Sequence, residues 1–232
     1  MKKATVFLIA LAAVVSSFAQ FKPKGVIWDE QYTFDKCNSF KIEFYAKKGE
    51  LMKTMQYKTL YQSKGENFSV RLETDRKSGG METVIDRKNM TAIQLFGTGG
   101  GATPMYNAGA FKYPADKDLK KLDLAATTET RQILGLACRK YTYTFKKIFG
   151  EVWLTDQITM QNDLGLFRAC KMAALHNTLS VPGFVMEMTT EDARGGKTLM
   201  TTVSLQNDVS DTVSFKGVEM GKAINVVNYY TF

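Results

Sequence analysis

The chain has 232 residues, of which 44% are hydrophobic and 23% are charged. Values in this range are typical of a folded globular protein and exclude a disordered tail or a fibrous repeat. The formal charge is +8 and there is a single His, but the basic residues are scattered in short pairs, whereas nucleic-acid binding needs a concentrated stripe. We therefore expect no nucleic-acid partner and no chemistry built on several histidines.

The N-terminus has the pattern of a secretory signal peptide. Lys2 and Lys3 precede an apolar run over residues 4–15, and small residues at 17–19 stand where a signal peptidase cleaves. The run is shorter than the ~20 residues that cross a bilayer, and no Cys follows the cleavage point to carry a lipid anchor. The sequence predicts a signal peptide at 1–19, export to the periplasm or the extracellular space, and one domain over 20–232.

Most of the remaining chain alternates apolar and polar residues, which is typical of strands with one buried and one wet face. The clearest runs lie at residues 40–44, 55–61, 68–72, 81–85, 140–145, 184–189 and 199–205. Short glycine-containing turns separate them, so consecutive strands should pair as antiparallel hairpins. Residues 89–96 are apolar on both sides and predict a central or covered strand.

Three segments break the alternation. Residues 115–124 and, more clearly, 162–176 have the spacing of short helices. The glycine-rich segment 97–101, running on to Pro104 and Gly109, predicts a mobile loop over one end of the sheet. A strongly twisted sheet of about eight to ten strands must curl. We therefore expect a mainly β fold with one or two short helices: a single curved antiparallel sheet, shaped as a half-open barrel, that encloses one apolar face and is partly plugged by helix 162–176.

The three cysteines, Cys37, Cys138 and Cys170, lack the close spacing of a redox or zinc motif. An exported protein can form disulfides, and the spacing leaves open either one bridge with a free thiol or no bridge. Cys170 falls on the apolar side of the second predicted helix, where a free Cys packs as a small hydrophobe.

The later part of the chain carries a series of short motifs in a characteristic order. They are Glu-Thr-Arg at 129–131, ILGLACRKY at 133–141, EVWLTD at 151–156 and GFVMEM at 183–188. This series resembles the secreted bacterial family known as domain of unknown function 4412, over about residues 125–205. The resemblance implies a half-barrel of the lipoprotein-carrier (LolA-like) type and a periplasmic or outer-surface protein that holds a lipid or another apolar group. The resemblance implies no catalytic residues.

Six side chains are candidates for lining a ligand cavity in the concave face. They are Phe184, Met186, Met188, Met172, Tyr141 and Tyr143. Met186 and Met188 should share one strand face, and their thioethers suit plain core packing, a flexible apolar ligand or Cu(I). The tyrosines and the nearby Trp153 can pair across strands or stack on a sugar.

These features predict an exported, non-enzymatic protein that binds a lipid or another apolar small molecule in the half-barrel, with no cofactor and no bound metal. The alternative is a structural or protein-partner-binding module of the cell envelope that has a filled core. Peripheral association with the envelope fits both hypotheses. A hydrolase, the third hypothesis, needs two converging carboxylates, for which the pairs Glu151 with Asp156 and Glu191 with Asp192 are candidates.

Overall fold

A computed structural model describes residues 25–73, 80–98, 103–112, 120–160, 179–221 and 224–228. The predicted signal peptide, the predicted helix at 162–176 with Met172 and Cys170, and most of the glycine-rich segment 97–101 lie outside these ranges. In the part of the chain that is described, no helix is long and apolar enough to cross a membrane.

The secondary structure of the described residues consists of β-strands. The strands are β1 (Gln31–Tyr45), β2 (Leu51–Tyr61), β3 (Phe68–Glu73), β4 (Gly80–Asp86), β5 (Thr91–Thr98), β6 (Met105–Lys112), β7 (Leu124–Ile133), β8 (Leu136–Phe145), β9 (Ile148–Thr155), β10 (Phe184–Asp192), β11 (Lys197–Ser214), β12 (Glu219–Met220) and β13 (Ile224–Asn228). The predicted covered strand at 89–96 is confirmed as β5, in which Ala92 and Ile93 are both fully buried.

All of these strands belong to one sheet, ordered β12-β6-β5-β4-β3-β2-β1-β11-β10-β9-β8-β7, with β13 also pairing with β6. The long strands β1 and β11 pair in the middle, from Gln31 opposite Ser214 to Tyr45 opposite Lys197. We refer to β2–β6 as the early wing and to β7–β10 as the late wing. The prediction of a mainly β fold with one large, curved, unclosed antiparallel sheet is confirmed, apart from β12 and β13, which run parallel to β6.

The buried apolar side chains form three groups. The early-wing cluster comprises Trp28, Tyr32, Phe34, Cys37, Leu60, Val84, Ile93, Leu95, Tyr106, Ala108, Val213 and Phe215. The late-wing cluster comprises Phe40, Ile42, Leu122, Tyr141, Tyr143, Val152, Leu154, Val185, Met188 and Met200. The inter-wing cluster comprises Tyr61, Phe68, Ile85, Ala92, Cys138, Trp153, Met160, Phe184 and Met186.

The early-wing and late-wing clusters lie on opposite sides of the sheet. Cys37 and Phe40 sit three residues apart in a stretch of β1 that pairs with β2 without a register shift, so their side chains point to opposite sides. Cys37 belongs to the early-wing cluster and Phe40 to the late-wing cluster. The expectation that the curl encloses a single apolar face is therefore wrong, because the buried side changes along β1.

Two expectations about local structure are also wrong. The loop expected to reach Pro104 and Gly109 gives way to β6, because the buried Tyr106 and Ala108 alternate with the more exposed Met105 and Asn107 and pack in the early-wing cluster. Of the helix expected at 115–124, residues 120–124 are described and are not helical. Leu122 instead bridges to Leu179 and is fully buried in the late-wing cluster, and Leu124 begins β7.

Candidate functional site

The predicted lining residues that the structure describes are all buried. Phe184, Met186 and Met188 are at most 2% exposed, Tyr143 is 4% exposed and Tyr141 is 9% exposed. The sixth, Met172, lies outside the described residues. Burial to this degree is that of core side chains in contact with many neighbours.

A β-bulge separates the two methionines that were expected to share a face. The pairing of β10 with β9 shifts between Val185 and Glu187, and a bulge of this kind adds one residue to one strand and inverts the alternation beyond it. Val185 and Met188 consequently pack in the late-wing cluster, whereas Met186 packs in the inter-wing cluster. The expectation that Met186 and Met188 line one surface is therefore wrong.

Met188 lies in an apolar row that crosses five strands. Tyr141, Val152, Met188, Met200 and Ile42 stand directly opposite one another on β8, β9, β10, β11 and β1. We refer to this side of the late wing as its inner face and to the other side as its outer face. Leu122, a member of the late-wing cluster, and Leu179 and Val181, which pack against that cluster, cover part of the inner face.

Tyr143 crosses β9 to reach β10. Its hydroxyl donates to the Thr189 carbonyl oxygen at 2.7 Å and lies 3.0 Å from the Thr190 hydroxyl. The crossing depends on Gly150, because a Cβ at that position would stand 2.8 Å from the Tyr143 oxygen. Tyr143 is thus a packed and hydrogen-bonded side chain.

Trp153 lies on the outer face, opposite Lys140 and Glu187 in the sheet register. The Arg131 guanidinium stacks 4.0 Å from the centre of its ring, and Arg131 also forms a 2.7 Å ion pair with Glu187. Lys140 pairs with Glu151 at 2.9 Å and with Glu129 at 3.1 Å. Because cations cover the indole, which is only 8% exposed, its face is not open to a sugar ring.

This cluster unites the short motifs that carry the family resemblance. Glu129, Arg131, Lys140, Trp153 and Glu187 come from motifs spread over some sixty residues and meet on four neighbouring strands. Cation–aromatic contacts and cross-strand ion pairs stabilise sheets. We conclude that these motif residues hold the late wing together.

Two shallow hollows adjoin each other at the end of the late wing where the hairpins turn. One has a volume of about 470 Å³ and is lined by Tyr143, Phe149, Glu151, threonines of β8 and β10, Glu191 and Lys197. The other has about 340 Å³ and is lined by Tyr45, Lys47, Glu191, Lys197 and Leu199, among others. Glu191 and Lys197, which are opposite one another in the sheet, contribute to both hollows.

The larger hollow brings together one carboxylate from each pair considered for hydrolysis. Glu151 and Glu191 both line it, whereas Asp156 and Asp192 do not. A general acid of a glycosidase is held protonated by an apolar environment, but the Glu151 side chain is 46% exposed and is paired with Lys140. The arrangement is that of charged residues on a wet strand face.

A third hollow, of about 210 Å³, lies at the opposite end of the sheet. It is lined mostly by polar residues of the β2–β3 turn, together with Lys36, Arg87, Tyr61 and Met160. Of the predicted lining residues, only Tyr143 lines any of these three hollows.

The two described cysteines are free and buried. Cys37 lies in the early-wing cluster and Cys138 in the inter-wing cluster, so they do not form a disulfide with each other. Burial raises the pKa of both thiols, which lowers the population of the nucleophilic thiolate. Both therefore act as small core residues.

Sequence reasoning missed the convergence of the hairpin turns at one end of the late wing. Lys47 and Lys48 lie in one turn and Lys146 and Lys147 in another, and the sequence suggested that such pairs are dispersed. The pairing order β2-β1-β11-β10-β9-β8 places these turns side by side. The sequence predicts the separate hairpins but not which strands of different hairpins pair. The convergence of their turns can therefore be deduced only once the pairing of β1 with β11 is known.

Two solved structures of PNGF-II resemble this chain at a distance. The structure in the P21 space group matches with a TM-score of 0.44 and 14% identity, over 84% of this chain and 31% of that one. The structure in the C2 space group matches with a TM-score of 0.40 and 16% identity, over 82% and 31%. This chain thus corresponds to less than a third of the length of PNGF-II. No protein-family model and no curated protein matches it, so the resemblance drawn from the motifs stays a prediction.

Proposed function

We propose that this chain is an exported, non-enzymatic binding module of the cell envelope that acts through its surface. The observation that carries the proposal is the burial of the predicted lining residues in two separate clusters: Met188, Tyr141 and Tyr143 in one, Phe184 and Met186 in the other. A carrier of an apolar guest needs a continuous pocket of several hundred Å³ lined by such groups. The early-wing and late-wing clusters also lie on opposite sides of β1, so the apolar interior is divided into separate parts.

The outer face supports binding through the surface. Its charged side chains are paired with one another around Trp153, and the hollows beside Glu191 and Lys197 are open and mixed in polarity. A surface of this composition suits a polar or charged partner, because direct hydrogen bonds and trapped water are typical of such interfaces.

The test compares truncation of the two methionines with truncation of an exposed residue. Met186→Ala and Met188→Ala should each lower the free energy of unfolding by about 2–5 kcal/mol, the usual cost of a cavity in a packed core. Val203→Ala is the matched control, because Val203 is 47% exposed and its truncation should change stability by no more than about 0.5 kcal/mol. Urea titration followed by circular dichroism measures all three.

Native mass spectrometry completes the test. The chain, recovered without detergent from the exported fraction of the expressing cells, should have the mass of the protein alone. A bound lipid that disappears in Met188→Ala, together with a small loss of stability in that variant, would reject the proposal in favour of a carrier.

The carrier remains the second candidate because the apolar inner face extends beyond its fully buried part. Phe44, Tyr57, Phe145 and Ile148 pack at the margin of the late-wing cluster and are only partly buried. An acyl chain lying along this margin would remove aliphatic surface from water at about 25 cal/mol per Å². Uptake of a fluorescent fatty acid by the native chain, reduced in Tyr57→Ser, would favour this function, and no uptake would exclude it.

A further inference from the structure

Three hairpin turns lie side by side at one end of the sheet. They belong to residues 45–53, 145–149 and 191–197, and together they form what we refer to as the hairpin-tip surface. Leu51, Tyr45, Lys197, Glu191 and Phe149 stand opposite one another in a single row across β2, β1, β11, β10 and β9. Because neighbouring strands are about 4.8 Å apart, Leu51 and Phe149 are separated by roughly 19 Å on the same side of the sheet.

The hairpin-tip surface is strongly cationic. Its basic residues are all exposed: Lys47, Lys48, Lys53, Lys146, Lys147, Arg194 and Lys197. Among the described residues, none of these seven takes part in an ion pair, whereas other basic residues of the sheet, such as Arg71, Arg131 and Lys140, are paired. The acidic residues of the surface are Glu50, Glu191 and Asp192, which leaves an excess of four positive charges out of the +8 of the whole chain.

One of the acidic residues is occupied within its own turn. The Asp192 carboxylate accepts hydrogen bonds from the backbone N–H groups of Arg194 at 2.8 Å and Gly196 at 3.1 Å. The turn is closed further by the N–H of Asp192, which donates to the Gly196 carbonyl oxygen. The basic side chains are thus presented on ordered turns with little internal compensation.

The same surface exposes large apolar side chains. Met52 is 70% exposed, Leu51 50% and Phe149 48%. A single exposed apolar residue is ordinary, but three of them at one end, among seven cations that form no ion pair with the described residues, are the combination found in proteins that lie on membranes. Apolar groups enter the headgroup boundary while Lys and Arg attract anionic lipid.

We propose that the hairpin-tip surface docks on an anionic lipid membrane, with Met52, Leu51 and Phe149 inserted below the headgroups and the lysines on the lipid phosphates. This inference rests on the proposed function, because it names the envelope partner of the binding module. A nucleic acid fits less well, since only Phe149 of the three exposed apolar side chains is aromatic, whereas base stacking uses a platform of several aromatic rings.

The experiment is co-sedimentation with vesicles made of equal parts phosphatidylglycerol and phosphatidylethanolamine, compared with vesicles of phosphatidylcholine. The chain from the exported fraction should partition to the anionic vesicles at least about tenfold more than to the neutral ones, and high salt should abolish the difference. The double variant Lys48→Glu with Lys147→Glu should lose about tenfold or more in partitioning. Met52→Ser should weaken binding at every salt concentration, because it removes apolar insertion.

The matched control reverses two charges at the other end of the sheet. Lys64 and Lys88 are exposed and lie in the β2–β3 and β4–β5 turns, so Lys64→Glu with Lys88→Glu changes the net charge equally and should retain most of the binding. Equal losses in both double variants would overturn the proposal, because attraction would then follow net charge alone. Binding to soluble polyglutamate as tight as to vesicles, and unaffected by Met52→Ser, would assign the surface to an acidic polymer.

Failure of the docking proposal can be distinguished from failure of the proposed function, because different measurements test them. The docking proposal is decided by vesicle partitioning, and the packed interior by native mass spectrometry and the methionine truncations. A chain that carries lipid inside and still docks through its tips would refute the filled core while supporting docking, and a chain without lipid that ignores anionic vesicles would refute only docking. The same unfolding midpoint in all charge variants establishes that they are folded.

Discussion

The two wings of the sheet use the same residue types in opposite ways. In the early wing, Arg71 lies between Glu82 and Asp211, with bonds of 3.0–3.1 Å to each, and the Ser69 hydroxyl donates to Glu82 at 2.6 Å. In the late wing, Arg131 forms its ion pair on the outer face, where the arginine side chain is 41% exposed. The comparison indicates that an ion pair with a buried carboxylate stabilises the early wing, whereas the ion pair of Arg131 lies at the surface of the late wing.

The difference follows from how each wing is covered. Val84 and Ile85 are successive residues of β4, so they point to opposite sides, and both are buried. The early-wing cluster packs on one side of β4 and the inter-wing cluster on the other. Glu82, which is only 2% exposed, therefore has no access to bulk water and requires an ionic partner.

The largest expected difference between the wings is the loss of stability when Arg71 is replaced. Arg71→Met leaves the buried Glu82 carboxylate without its cation and should lower the free energy of unfolding by about 3 kcal/mol, near the lower limit for a broken buried pair because Arg71 itself is partly exposed. Arg131→Met is the matched change in the late wing and should cost about 1 kcal/mol, the value of an exposed ion pair with a cation–aromatic contact. Equal losses in urea titrations of the two variants would show that burial does not distinguish the wings.

A second contrast concerns two glycines. A Cβ on Gly150 would stand within 1.9 Å of the Thr189 carbonyl oxygen, so Gly150→Ala should force β9 from β10 and cost about 2–3 kcal/mol. Gly49, in the β1–β2 turn, has a φ of +79°, and a Cβ there would meet nothing within 4 Å, so Gly49→Ala should cost only about 1 kcal/mol of backbone strain. Thermal unfolding ranks the two variants, and a larger effect at Gly49 would contradict the close approach of β10 to Gly150.

The strands could be predicted from the sequence where apolar and polar residues alternate, because such a strand buries one face and exposes the other. Phe40 and Ile42 are buried between the partly exposed Lys41 and Glu43, as their spacing indicates. β7 was missed, because LAATTETRQI has no apolar alternation and is held mainly by its pairing with β8. β6 was missed for a related reason, since its small residues and glycine are typical of a loop until they are packed against β5.

The candidate site could be predicted only in part. Alternation correctly placed Met188, Tyr141 and Tyr143 on buried strand faces. It could not locate the bulge at Met186, since a bulge depends on the register of the partner strand and leaves no apolar signature. The hairpin-tip surface was equally hidden, because Lys48 and Lys147 are brought to one end by the pairing of β1 with β11, the longest-range contact of the sheet.

Two buried tyrosines, one in the early-wing cluster and one in the late-wing cluster, offer a third contrast. The Tyr32 hydroxyl donates to Asp86 at 2.7 Å, and Asp86 is fully buried. Tyr32→Phe should therefore cost about 2 kcal/mol, as expected for a hydrogen bond to a charged group, whereas Tyr143→Phe loses bonds to neutral oxygens and should cost about 1 kcal/mol. A smaller loss at Tyr32 than at Tyr143 in urea titrations would mean that the Asp86 carboxylate is satisfied by Asn89 alone, which donates to it from both its backbone and its side chain.

The smallest expected effect is a pH dependence of stability at Asp35, which lies at a register shift between β1 and β11. The Ser63 side chain and its backbone N–H both donate to the Asp35 carboxylate, and these hydrogen bonds, the hydroxyl first, lower the pKa of Asp35. A carboxyl whose pKa is lower in the folded than in the unfolded chain contributes stability above the unfolded value of about 4, and that contribution is lost as the pH falls through the folded value.

Asp35→Asn should consequently flatten the acid limb of the stability curve below about pH 4 without changing its shape near neutrality. Ser63→Ala should flatten the same limb, since it removes the strongest donor from the carboxylate. Because Asp35 is partly exposed, the difference should be a few tenths of a kcal/mol, as for exposed electrostatic pairs, and it is resolved by urea titrations at closely spaced pH values. A steeper acid limb in Asp35→Asn would mean that the carboxylate is destabilising in the folded chain, and would contradict the stabilising role of its two hydrogen bonds from Ser63.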